Sequence, residues 1–263
     1  MGKTVELFEA LADATWQRLR FAELLRCSQG EETISDINLL ELIRRQFGNI
    51  QVFKFSRSDE SKTGLDWEWW IYSRNRGCRR YAVQAKKLSP QHTYGIRHKV
   101  RQYYQIDLLE QYSRINKCIP LYCFYNSFTN DTVNLSAYWH CDRLYDKTQL
   151  GCTVAPINVV REAFSRRGYK TFNHIHRHKS VIPWRCLIEC QHVIDNPIYG
   201  GTVSETGLYP ELPSFLRPES DGAITFDVDG EIPDSIRRYY SDDVRFWDSI
   251  VYPRRVLAVS VDS

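Results

Sequence analysis

Between Thr4 and Arg26 the residues Phe8, Leu11, Ala12, Thr15, Leu19 and Ala22 recur at helical spacing, which predicts an amphipathic helix. The polar run Ser28–Glu32 breaks it. A second helix is predicted to open near Ser35 or Asp36, whose side chains suit an N-cap. It carries Leu39, Leu40, Ile43 and Phe47, and Gly48-Asn49 ends it. Three strands follow at Ile50–Phe55, Asp66–Tyr72 and Arg80–Ala85. The polar turn Ser73–Gly77 joins the last two as an antiparallel hairpin. Arg97–Asn116 returns to helical spacing through Val100, Tyr103, Tyr104, Leu108 and Tyr112. Cys118–Tyr125 reads as a buried strand with Pro120 near its start, where a missing amide is tolerated.

The order helix, helix, strand, strand, strand, helix, strand describes an α/β core. After Asn126 the pattern loosens. It predicts a helix over Pro156–Arg166 with proline at an early position, a strand over Val181–Glu189, a helix over Ile232–Phe246 and a terminal strand over Arg255–Val261. The Gly/Pro-rich stretch Asn196–Pro218 reads as a long surface connection. Residues 1–130 are therefore expected to form the core, and residues 131–263 an α+β extension packed on it.

Composition adds little to that outline but narrows the setting. With 263 residues, 43% hydrophobic and 25% charged, the chain can bury a core without covalent staples. Aromatic residues reach 13%, which suits cores, interfaces and base stacking alike. The net charge is +3 and the sequence pI about 8.4. Basic residues cluster at Arg74–Arg80, Lys86–Lys87, Arg97–Arg101 and Arg161–Lys179, while acids dominate Asp221–Asp248. Such a chain can meet a phosphate backbone on its basic flank. The eight cysteines are scattered and Met1–Arg26 lacks the charged-then-apolar pattern of a secretory leader, so free thiols in a reducing cytoplasm are expected. No apolar run approaches the ~20 residues needed to span a bilayer, so no membrane partner is expected.

The chemistry concentrates in Thr63-Gly-Leu-Asp-Trp-Glu-Trp-Trp-Ile and in Tyr81-Ala-Val-Gln-Ala-Lys-Lys. Residues two apart on a strand share a face, so Asp66 pairs in direction with Glu68, and Gln84 with Lys86. On a hairpin, one face then carries two carboxylates, an amide oxygen and an ammonium. Hydrolysis of a phosphodiester calls for that inventory: hard oxygen ligands for Mg²⁺ or Mn²⁺, and a cation to orient water and offset phosphate charge. The bland alternative is an edge strand with solvated acids and surface lysines. It requires more coincidences of type, face and order than the catalytic one.

Asp66, Gln84-Ala85-Lys86 and the element order resemble the restriction-endonuclease-like PD-(D/E)xK superfamily over roughly residues 30–126. The resemblance implies a central mixed sheet flanked by helices and a metal-dependent endonuclease acting on nucleic acid, double-stranded DNA above RNA. It assigns Asp66 and Gln84 to the metal, with Glu68 as an accessory ligand, and Lys86 to the attacking water. The family's upstream glutamate corresponds to Glu32 or Glu41. Gln84 replaces the usual acid, as in Q-x-K branches, and removes a charge from the site. Gly64-Leu65 stands where the familiar proline would be. By the same resemblance, an antiviral effector of a bacterial anti-phage defence system, working as a homodimer or higher oligomer, is the expected setting. A nuclease fold without turnover, binding nucleic acid or protein, is the alternative.

A second metal signal lies in His174, His176 and His178, followed by Cys186 and Cys190, all able to hold Zn²⁺. The spacing fits no standard finger. A half-exposed strand with Arg177 and Lys179 opposite the histidines explains it more simply. Helix Arg97–Asn116, with Arg97, His98, Lys99 and Arg101 at its start, is expected to contact phosphate, or else to dock Tyr103 and Tyr104 in the core.

Overall fold

The computed structural model describes residues 2–45, 50–54, 63–73, 77–130, 132–194, 197–200, 208–209, 225–227 and 255–260. The elements run α1 (Gly2–Leu24), α2 (Glu31–Arg45), β1 (Ile50–Lys54), β2 (Trp67–Ser73), β3 (Gly77–Lys87), β4 (Lys99–Val100), β5 (Tyr103–Tyr104), α3 (Gln105–Ile115) and β6 (Ile119–Tyr125). They continue with β7 (Cys152–Pro156), α4 (Ile157–Ser165), α5 (Phe172–His176), β8 (Ile182–Pro183), α6 (Cys186–Glu189), α7 (Gln191–Ile194), α8 (Pro197–Gly200), β9 (Leu208–Tyr209), β10 (Thr225–Asp227) and β11 (Arg255–Ser260). The chain is mixed α/β, as its hydrophobic pattern predicts. The expected helix at Ile232–Phe246 lies outside the described residues.

The chain divides into two compact units. One comprises Met1–Glu41, Ala85–His98 and Leu121–Tyr199, and the other Leu42–Gln84, Lys99–Pro120 and Gly200–Ser263. The second unit is built on a mixed sheet in the order β10–β1–β11–β2–β3. β1 and β10 are parallel, β1 and β11 antiparallel, β11 and β2 parallel, and β2 and β3 antiparallel. The C-terminal strand thus separates β1 from β2, with Val256 opposite both Phe53 and Glu68. Trp67, Trp69 and Trp70 of β2 and Tyr81, Ala82 and Val83 of β3 are all buried. A strand covered on both faces reads as a continuous aromatic and aliphatic run, and this one does.

In the first unit, β6, β7 and β8 form an antiparallel ladder with Cys123 opposite Val154 and Val154 opposite Ile182. α1 buries Val5, Phe8, Leu11, Ala12, Thr15, Trp16 and Leu19 at helical spacing, the predicted stripe with Val5 and Trp16 added and Ala22 only half-buried. Trp184 donates its indole N–H to the Phe8 carbonyl (2.9 Å), and its ring meets Phe8 edge-on at 5.1 Å. A buried polar chain crosses this core. The Tyr94 hydroxyl donates to Asn126 Oδ1 (2.5 Å), Asn126 Nδ2 donates to the Leu150 carbonyl (2.7 Å), and Thr153 Oγ1 meets His176 Nε2 at 2.8 Å. Every member has a partner, which is what makes such a chain tolerable in a low dielectric.

Four elements differ from expectation. α2 opens at Glu31, four residues before Ser35, whose hydroxyl instead bonds the Glu31 carbonyl (3.1 Å) and the Tyr125 hydroxyl (2.8 Å). Residues Lys99–Tyr104 form a small hairpin and not the first turns of a helix, because Arg101 takes a positive φ of 56° and reverses the chain. The histidines of 174–178 lie on or just beyond a helix, α5, capped by the Thr171 side chain, not on a strand. Of the strand expected over Val181–Glu189 only Ile182–Pro183 pairs, and Cys186–Glu189 turns into α6.

Candidate active site

Asp66 stands at the mouth of the β2–β3 hairpin. Its backbone N–H donates to the Val83 carbonyl (2.8 Å), one step before the Trp67–Val83 pair. By that antiparallel register Asp66 faces Gln84, and the Gln84 amide donates to Asp66 Oδ2 at 2.5 Å. Gln84 is buried and Asp66 half-buried. The approach to Asp66 is fixed by Gly64, whose φ is +68°. A Cβ there would lie 2.4 Å from the Gln105 carbonyl and 2.9 Å from the Leu109 nitrogen, both in α3. Glycine at 64 therefore lets this turn nest against α3 while Leu65 is buried.

Glu68 shares that hairpin face, as the alternation predicts, but it is committed elsewhere. Its carboxylate is wholly buried and takes two bonds from Arg80, Nη2 to Oε1 at 2.8 Å and Nε to Oε2 at 3.0 Å. The Tyr112 hydroxyl (2.7 Å) and the Trp70 indole N–H (3.2 Å) donate to the same group. Arg80 also donates to the Asn116 carbonyl (3.0 Å) and lies over the Trp70 ring. A carboxylate already neutralised by a buried guanidinium has little to offer a cation. In this structure those bonds tie Glu68 to Arg80 and Tyr112, and with the Arg80–Asn116 bond they hold α3 to the hairpin.

Lys86 follows Gln84 by two positions along β3 and is buried. Its Nζ lies 3.3 Å from Glu31 Oε2, and the same carboxylate accepts the Lys87 backbone N–H at 2.9 Å. Glu31 sits in the first turn of α2, where a negative charge also suits the helix dipole. The acid that reaches Lys86 is therefore Glu31, not Glu32 or Glu41, which belong to the same helix. Glu32 is exposed and Glu41 half-buried. Sequence reasoning missed Glu31 because it placed the helix start too late. Once the helix opens at residue 31, the first-turn acid becomes the natural candidate. Lys87 turns away, its Nζ bonding the Gln29 carbonyl (2.5 Å) and Ser28 Oγ (3.1 Å).

The basic residues before α3 are exposed and not helical. Arg97 donates to the Phe164 carbonyl (2.6 and 3.0 Å), and Lys99 lies over the Tyr104 ring. Neither tyrosine is a core residue, since Tyr103 is exposed and Tyr104 half-buried.

The structure separates the three histidines. His174 meets Thr171 Oγ1 at 2.7 Å, His178 meets Glu162 at 3.3 Å, and His176 lies in the core against Phe172. Burial lowers the His176 pKa to about 3, so it is neutral at ordinary pH. Cys186 and Cys190 do come together, but with Cys141 and with no histidine. The i, i+4 spacing of the pair signals one helix face, whereas nothing near Cys141 in the sequence marks it as the third member.

Among the described residues, no helix is long and apolar enough to cross a membrane. No curated protein matches the chain. The profile of DUF6615, a family of unknown function, matches residues 4–260, and the chain belongs to that family.

Proposed function

We propose that this chain is a metal-dependent nuclease that hydrolyses phosphodiester bonds in nucleic acid, DNA before RNA, and works in the cytoplasm. The observation that carries this reading is the Asp66–Gln84 contact at 2.5 Å across an antiparallel hairpin, with Lys86 two residues further along the same strand. That order of residues is the one that likens the chain to the PD-(D/E)xK superfamily.

The residues fit a hard divalent cation. Asp66 supplies a carboxylate, and a half-turn of the Gln84 amide would set its oxygen beside it, amide orientation being a matter of hydrogen-bond assignment. Bound there, Mg²⁺ or Mn²⁺ would polarise a phosphoryl oxygen and acidify water. Lys86 supplies three N–H donors, which orient the attacking water and offset charge as it builds on the phosphate. Glu31 is a positioning residue: by holding Lys86 Nζ and the Lys87 amide together, it limits the rotamers of a long side chain. Glu68 takes no part. The exposed Arg97, His98, Lys99 and Arg101 offer cationic contacts to a phosphate backbone.

The second reading, a nuclease-fold binder without turnover, is favoured by Gln84, which leaves the site one negative charge short. Cleavage of supercoiled plasmid with Mg²⁺ or Mn²⁺ decides between them. Asp66→Ala and Lys86→Ala should each lower cutting per folded molecule by roughly a hundredfold or more, the scale at which loss of one preorganised charge acts. Gln84→Glu should cut at lower metal concentration. Cutting that persists in both alanine variants removes Asp66 and Lys86 from the active site. Retention of labelled DNA without cutting under either metal selects the binder.

A further inference from the structure

The phosphodiester chemistry leaves one cluster of nucleophilic side chains unused. Cys186 and Cys190 lie one turn apart, at the first position and the C-cap of α6, with the Cys190 N–H donating to the Cys186 carbonyl (3.1 Å). Cys141 arrives from the segment between Tyr138 and Lys147, and the three sulfurs all lie within 4.8 Å of one another. Cys186 and Cys190 are buried and Cys141 is half-exposed.

Distance decides between the two chemistries open to such a group. Sulfurs around a tetrahedral Zn²⁺, each ~2.3 Å from the metal, are ~3.8 Å apart. The Sγ–Sγ distance between Cys141 and Cys190 is 3.6 Å. A disulfide, with S–S near 2.05 Å, would require this pair to close by about 1.5 Å. The surroundings point the same way. Arg185 is 1% exposed and brings Nη2 to 3.0 Å from Cys141 Sγ. Its Nη1 is braced by Glu189 (3.1 Å) and Glu9 (3.3 Å). Three thiolates around a dication leave one net negative charge, and the Arg185 Nη2 donor at Cys141 Sγ would stabilise it as a charge-assisted hydrogen bond. A cleft whose lining includes Asp142, Arg143, Leu144 and Arg185 adjoins Cys141 through its chain neighbour Asp142.

We propose that Cys141, Cys186 and Cys190 bind one zinc ion, with solvent at the fourth position. Each thiol releases its proton to water as its sulfur takes up the metal. The ion pins the segment carrying Trp139 and Arg143 to α6, where Arg143 also pairs with Glu9 and Glu189. The site is independent of the nuclease reading.

The full-length chain, purified under reducing conditions, should carry about one zinc per molecule by elemental mass spectrometry. Cys141→Ser and Cys186→Ser should lower that to background, whereas Cys118→Ser, a buried thiol outside the cluster, should retain it. Co²⁺ added to chelator-stripped, reduced wild-type protein should give thiolate-to-cobalt charge-transfer absorption with tetrahedral visible bands. Should Cys186→Ser fail to fold, the half-exposed Cys141→Ser and the wild-type cobalt spectrum carry the test alone. Zinc retained in the Cys141→Ser, Cys186→Ser double variant overturns the proposal. So does the absence of both zinc and a cobalt–thiolate spectrum in the wild type, and so does a Cys141–Cys190 disulfide whose reduction leaves a chain that takes up no metal.

Discussion

Glu68 and Arg80 show how a buried charge pair constrains its neighbours. Removing one partner leaves the other unpaired in the interior, so Glu68→Gln should cost ~3–5 kcal/mol of stability, read as a lower urea midpoint. Replacing both with apolar residues (Glu68→Leu with Arg80→Met) should recover much of that loss. If Glu68 is structural, Glu68→Gln should still cleave DNA at low temperature in proportion to the folded fraction. Gly64 sets a second limit. Gly64→Ala would force an L residue into the left-handed region and its methyl into α3, a loss of about 2 kcal/mol or more. At this scale the sequence was partly legible. Spacing put Asp66 and Gln84 on one hairpin face, where they meet, but the ion pair of Glu68 depended on Arg80, twelve residues away on the facing strand. No local pattern carries that pairing.

Elements whose hydrophobic period is long and regular were readable: α1, the β2–β3 hairpin, β6 and α4 fall within a few residues of expectation. Short elements were not. Lys99–Tyr104 mimics a helix start because Val100, Tyr103 and Tyr104 happen to lie at helical spacing, while the positive φ of Arg101 has no sequence signature. The histidines of 174–178 alternate as a strand would, yet Thr171 caps a helix there (His174 N–H to Oγ1, 3.3 Å). The placement of β11 between β1 and β2 was also invisible, since a terminal strand says nothing of its neighbours. It carries a clear expectation. A fragment of residues 1–130 lacks β7, β8, β9, β10 and β11, and should show no cooperative unfolding by circular dichroism. Deleting Arg255–Ser260 alone should abolish the cooperative transition of the full chain.

For the whole molecule, His176 makes stability depend on acidity. In the unfolded chain its imidazole takes a proton near pH 6.5, whereas burial in the folded state postpones this to about pH 3. The unfolded state therefore binds more protons between those limits, and stability falls as pH drops through that window. His140, whose pKa is also lowered first by burial, acts in the same direction. His176 contributes a slope of up to ~1.4 kcal/mol per pH unit, with none above the window. Urea unfolding from about pH 7 to about pH 5 should show the decline, and His176→Asn should flatten it even if the variant is less stable throughout.

The central position of β11 also sets an order in time. Ile50 pairs with Val259, roughly 200 residues later, so closing that loop costs about 5 kcal/mol of chain entropy before any ladder bond forms. On a ribosome, β1 and β2 are made early and wait with their facing edges open until the strand between them emerges. Through that interval they are templates for any other extended chain. Refolding from denaturant should accordingly be slow, with a yield that falls as protein concentration rises.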